Sequence, residues 1–143
     1  MSVLSGRCHC GNLRFEFDTR HTPENLPLRS CQCSFCRSHG ALAATDPQGR
    51  VVITASDPAA LQRYRFGLGI TDFLLCARCG VYVAAVAEIE GRSYASLNAN
   101  ALERRAELRQ TPQPISYEGE SAEKRRARRA QVWTPAEVLS GAD

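Results

Sequence analysis

Cys76-Ala77-Arg78-Cys79-Gly80 places two thiols three residues apart and closes them with a glycine, and Cys8-His9-Cys10-Gly11 offers a similar pair near the start of the chain. A glycine there can take positive φ and turn its amide back toward sulfur, which makes each stretch half of a zinc knuckle. Zn–S bonds of about 2.3 Å draw bound sulfurs within roughly 4 Å of one another, so each stretch must turn tightly. Two halves complete a tetrahedral site on Cys8, Cys10, Cys76 and Cys79. That site clips the first strand to the centre of the chain, and metal binding offsets the loop-closure cost.

A third cluster, Cys31-Gln32-Cys33-Ser34-Phe35-Cys36, sets three thiols within six residues, with no glycine directly after it. The three clusters contain all seven cysteines. A closed structural zinc takes four protein ligands and a reactive one usually three, so seven divides into one zinc that holds the fold and one that can do chemistry. Cys31, Cys33 and Cys36 are the ligands of the second, with one vertex left for water or an incoming thiol. The alternative is two structural zincs, with His39, three residues beyond Cys36, closing the second site. His9 and His21 read as surface or loop residues. Disulfides are disfavoured by the odd cysteine count and by Met1-Ser2-Val3-Leu4-Ser5-Gly6-Arg7, which lacks an apolar signal core. A reducing, cytoplasmic setting is the expectation.

The 143 residues suffice for one domain that buries roughly two-thirds of its unfolded surface. The longest apolar run, Val81 to Ala87, is far too short to span a membrane. A net charge of +3 is too mild to argue for nucleic acid. Lys124 is the only lysine, so the other positive charges are arginines, suited to forked contacts with carboxylate or phosphate. Lys124-Arg125-Arg126-Arg128-Arg129 is basic, yet helical spacing spreads it around the circumference, with Glu120 in register to pair with Lys124. A solvated, partly self-neutralised helix is expected there, with Trp133 docking the tail.

Leu13 to Asp18 alternates apolar and polar residues, the mark of a half-buried strand. Val51 to Thr54, Thr71 to Leu75, Val81 to Ala87 and Tyr94 to Leu97 read as further strands. Asp57 and Pro58 open a single helical turn. Ala101 to Gln110 and Ser121 to Gln131 are helix-prone, and Thr134-Pro135-Ala136-Glu137 has the form of a capping box opening a last helix. The expected fold is mainly β: an antiparallel zinc-binding domain over residues 1–100 with a helical C-terminal extension over 101–143 packed on it.

The clusters resemble those of the glutathione-dependent formaldehyde-activating enzyme family, which shares the CENP-V domain and an Mss4-like fold. The likeness rests on Gly6 to Gly11, on Cys31 to Arg37 with Gly40, and on Leu75 to Gly80. It extends more loosely through Tyr94 to Asn98 and Ile115 to Gly119 to Arg128, Arg129 and Trp133. The resemblance implies a structural zinc on Cys8, Cys10, Cys76 and Cys79, and a second zinc on Cys31, Cys33 and Cys36 that accepts the thiol of glutathione. The implied reaction is a carbon–sulfur lyase run in reverse, adding glutathione to formaldehyde. A zinc with three cysteinates is a poor Lewis acid for a carbonyl, so the aldehyde oxygen needs another donor; Arg37 and Arg78 are the candidates, for that role or for a substrate carboxylate. The competing readings are a non-catalytic zinc module for a protein partner and a thiol or zinc carrier. Nucleic acid and membrane are not expected partners, and a homo-oligomer is left open.

Overall fold

Leu13, Phe15, Phe17 and Thr19 are buried while Arg14 and Glu16 face solvent, so the alternation seen in the sequence becomes the two faces of a strand. The computed structural model describes residues 1–140. Along it run β1 (Ser2–Arg7), β2 (Leu13–Thr19), β3 (Arg29–Cys31), α1 (Ser34–His39), β4 (Ala43–Ala44), β5 (Arg50–Ala55), β6 (Leu61–Tyr64), β7 (Asp72–Cys76), β8 (Tyr82–Ile89), β9 (Arg92–Asn98), β10 (Gln113–Ile115), α2 (Ala122–Val132) and β11 (Thr134–Ser140). The strands form one sheet in the order β1-β2-β5-β11-β9-β4-β3-β10, with β8, β7 and β6 leading off from β9.

The fold is mainly β, as expected, but the sheet is mixed. β11 pairs parallel to β5, and β10 parallel to β3. Parallel neighbours need a crossover, and α2 belongs to the connection that returns the chain to β11.

The main core gathers Leu4, Leu13, Phe15, Phe17, Ile53 and Leu97, each almost wholly removed from water. Burying each such side chain contributes about 2 kcal/mol. Gly6 is required beside them, because a Cβ at that position would strike the Phe15 ring. A second cluster, with Cys36, Phe73, Tyr82 and Trp133, packs the triplet of cysteines against the end of α2.

Two C-terminal expectations are corrected. Thr134 to Glu137 opens a strand instead of a helix: the Thr134 hydroxyl accepts the Asp46 amide at 2.8 Å, and the backbone pairs with β5 and β9. Ala136 and Val138, two residues apart, turn to the core. Ala101 to Gln110 forms only short 3₁₀ turns, because Leu102 is drawn into the core beside Gly6 and the Glu103 amide donates to the Ser5 carbonyl. The segment from 101 onward therefore joins the same sheet through β10 and β11. The last three residues of the expected extension, 141–143, lie outside the described residues.

Other local readings hold. Asp57 caps its single turn through the Ala59 amide, and Ser121 caps α2 through the Lys124 amide.

Asp46, fully buried, fastens β11 to the loop after β2. Its carboxylate accepts from the Thr19 hydroxyl at 2.8 Å, the Arg20 amide at 2.9 Å and the Arg20 guanidinium. Burial raises its pKa, but these donors, led by Arg20, outweigh burial and hold it well below the usual carboxylate range. A depressed carboxyl stabilises the fold above its unfolded pKa of about 4 and loses that contribution as pH falls toward the folded value. Asp46→Ala is expected to lower stability by about 3 kcal/mol at pH 7 in urea titration, with the deficit shrinking below pH 4.

Candidate metal centre

Cys8 and Cys10 lie in the turn between β1 and β2, and Cys76 and Cys79 in the turn from β7 to β8. The four sulfurs all lie within 4.8 Å of one another. Cys8 Sγ to Cys10 Sγ is 3.7 Å and Cys10 Sγ to Cys76 Sγ is 3.5 Å. A tetrahedron with bonds of about 2.3 Å has edges of about 3.8 Å, so the group has the dimensions of a closed four-sulfur metal site.

Gly11 and Gly80 have φ of +86° and +79°, as the knuckle reading requires. Their amides, however, close the turns onto the Cys8 and Cys76 carbonyls. On Cys8 the amide that reaches sulfur is Leu13's, at 3.3 Å from Sγ. Burial pushes the Cys8 thiol up to about 11. Burial also opposes ionisation of Cys79, yet the Cys10 and Val81 amides bring it down to about 6.

Cys31, Cys33 and Cys36 form the second group, again with every sulfur within 4.8 Å of the others. No fourth Cys, His, Asp or Glu donor joins this group among the described residues. His39 is at the last position of α1, its ring 4.5 Å from that of Phe35 and 5.6 Å from that of Tyr82.

Local geometry makes the triplet. Cys33 caps α1, taking the Cys36 amide on its sulfur at 3.4 Å, and Gly40 ends the helix at φ +56°. Hydrogen bonds from the Cys31 and Cys36 thiols, then the Cys36 and Phe35 amides, lower Cys33 to about 2. Those same contacts, with burial, drive Cys36 far up and raise Cys31. Cys33 is thus the readiest thiolate, and a thiophilic cation must displace the protons of the other two.

The arginines are distributed differently from the sequence expectation. Arg37 is on the exposed side of α1 and has no side-chain hydrogen bond or ion pair among the described residues. Arg78 pairs with Asp57 on the surface beside the four-sulfur group. A cavity of about 70 Å³ instead adjoins Cys31 and Cys36, and Arg29, Arg128 and Arg129 line it together with Tyr82 and Trp133. Arg128 is neutralised by Glu120 and lies over the Tyr117 ring. Glu120 also takes Arg125, in place of the expected Lys124 pairing. Arg129 is buried: Nη1 donates to Thr71 Oγ1 at 2.6 Å and the guanidinium lies 4.3 Å from the Trp133 ring centre. Desolvation lowers its pKa to about 10.

Sequence reasoning singled out Trp133 and the basic run but not Arg29, Tyr82 or the burial of Arg129. Arg29 stands two residues before Cys31, and that proximity was the available signal.

The class is that of a β-rich domain with two groups of sulfurs that could hold a metal ion, one closed and one incomplete. The particular family follows from sequence comparison: the chain belongs to the glutathione-dependent formaldehyde-activating enzyme family, whose profile matches residues 3–117. Its mainly β fold is that family's Mss4-like fold. A solved Rhodobacter sphaeroides protein, a structural-genomics target, is similar at 28% identity with a TM-score of 0.57, covering 78% of this chain and 99% of its own. Comparison with curated proteins finds no match.

The two groups respond differently to loss of one sulfur. Cys79→Ser breaks a site that joins distant turns and is expected to abolish the cooperative unfolding transition. Cys33→Ser breaks a site built within six residues and is expected to shift Tm by less than about 5 °C while removing one metal ion per chain. Circular dichroism and metal counts on both variants check this.

Proposed function

We propose that this protein is a zinc-dependent enzyme of the carbon–sulfur lyase kind, joining a small thiol, with glutathione as the family's example, to a small aldehyde such as formaldehyde. The observation that carries the reading is the incomplete triplet beside a cavity: three sulfurs, no fourth protein donor in the group, and an adjoining space that a reactant can enter. Cys8, Cys10, Cys76 and Cys79 hold a structural zinc, and Cys31, Cys33 and Cys36 hold the reactive one. Both donor sets suit zinc, which favours thiolates and needs no redox partner. Bound there, zinc supplies a site at which an incoming thiol loses its proton and remains a nucleophilic thiolate.

The chain's own residues supply the rest. In the forward direction a C–S bond forms to the aldehyde carbon, the carbonyl π pair moves to oxygen, and that oxygen takes up a proton. Tyr82 lines the cavity and is the neutral donor we assign to that oxygen. Burial, then the negative sulfurs of Cys36, Cys33 and Cys31, holds its hydroxyl well above the usual range, so it keeps its proton. Phe35 is half-buried and packs against the same cluster, 5.0 Å from Tyr82 and 4.4 Å from Phe73, ring centre to ring centre. This apolar side limits water near the thiolate.

Zinc-edge spectroscopy with added glutathione tests the open site. One of the two zincs is expected to gain a sulfur ligand, whereas two unresponsive four-sulfur sites would leave a structural module. Turnover needs a separate assay. Tyr82→Phe is expected to slow hydroxymethyl-thiol formation by about 10²-fold with the zinc content unchanged, and an undiminished rate removes Tyr82 from the mechanism.

A further inference from the structure

The cavity beside the triplet carries an excess of positive charge that the fold itself does not explain. Among the described residues, Arg129 Nε is the one buried side-chain nitrogen or oxygen with no hydrogen-bond partner, and the residue is only 7% exposed. Its one hydrogen bond, to Thr71, and its contact with Trp133 fix the plane of the guanidinium without neutralising it. Arg29, on the same cavity, donates Nη2 to Thr45 Oγ1 at 2.9 Å and likewise has no carboxylate in ion-pair range among the described residues. Arg128 is different, because Glu120 already balances it. Two guanidiniums thus face a sulfur trio that, with a divalent cation, carries one negative charge. Buried cations are costly without a partner, so the imbalance calls for an anion.

Size narrows the choice. At about 70 Å³ the cavity has roughly half the volume of one that takes a benzene, about 150 Å³. It admits a carboxylate of up to about three carbons and excludes the body of a tripeptide. Guanidinium pairs such planar anions through two parallel hydrogen bonds.

We propose that this cavity is a carboxylate subsite: the thiol that reaches the open metal carries a carboxylate bound by Arg129 and Arg29. The inference rests on the open-site reading above and adds the class of reactant. The carboxylate has two sources, a compact thiol acid lying wholly inside or one terminal carboxylate of a larger thiol such as glutathione whose remainder lies outside.

Calorimetric titration of the zinc-loaded protein separates these, with Trp133, the single tryptophan, as a fluorescent reporter on the cavity wall. The probes are 3-mercaptopropionate, 2-mercaptoethanol, propionate and glutathione. 3-Mercaptopropionate is expected to bind at least tenfold more tightly than 2-mercaptoethanol, and propionate to compete with it. Arg129→Met and Arg29→Met are each expected to bring the ratio of the two thiols toward one. Glutathione binding more tightly than 3-mercaptopropionate, with the same dependence on the arginines, supports the subsite and names the larger thiol as its source. Equal affinity for the two small thiols in the unaltered protein overturns the subsite alone, whether or not the variants fold. Binding of neither thiol overturns the open-site reading and this inference with it.

Discussion

Four sulfurs drawn from two turns far apart in sequence are the constraint on which this fold depends. The turn between β1 and β2 is held against the turn between β7 and β8 with Cys10 and Cys76 Sγ only 3.5 Å apart. Neither turn has a long apolar run to hold it there, and Cys10 and Arg78 are exposed. A metal bound by all four thiolates would convert two marginal loops into one rigid corner, its binding free energy entering the folding free energy. Such an ion would fix the hairpin and the β6–β7–β8 ribbon relative to each other, and β8 carries Tyr82 to the second group of sulfurs.

That second group needs no such help to assemble. Its three ligands are the last residue of β3, the cap of α1 and a residue of the helix's first turn, so the sulfurs are placed by backbone geometry within six residues. Most of the surroundings are not local, only Arg29 coming from the strand that carries Cys31. β3 brings Arg29, β8 brings Tyr82, and α2 with its C-terminal cap brings Arg128, Arg129 and Trp133. A metal held locally inside a wall built mostly from distant elements could have its coordination altered by a ligand without the fold unravelling. The closed corner cannot, because its sulfurs are themselves the tie between elements.

The same division explains what was legible in the sequence. Both sulfur groups could be partitioned from spacing and trailing glycines, since the determinants are adjacent residues. The strands β2, β5, β7, β8 and β9 could be read for the same reason, by alternation or β-branched runs. β1, β3, β4, β6 and β10 were not read: all but β1 are four residues or fewer, too short to show a period, and β1 shows burial only at Leu4 and Gly6 with Ser5 between. At Thr134 a local pattern misled, because a threonine hydroxyl that could cap a helix found the Asp46 amide, a partner 88 residues away. Arg129 lies in a run of basic residues in which Lys124 and Arg126 are exposed, and only the packing of Trp133 distinguishes it.

The choice of arginine at these positions follows from electrostatics in a dry site. A buried lysine sheds its proton readily, whereas guanidinium stays charged at neutral pH even when desolvation lowers Arg129 to about 10. A permanent cation next to sulfur favours the thiolate over the thiol, and Cys31 in turn supports the charge of both Arg29 and Arg129. The two charged groups therefore stabilise each other across a small cavity, where low dielectric strengthens the attraction. Removing the sulfur charge leaves the cations unsupported, and removing the cations makes neighbouring thiolates harder to sustain. The α2 helix, whose outer face is an ordinary charged surface, is tied by this coupling to the three sulfurs on its inner side.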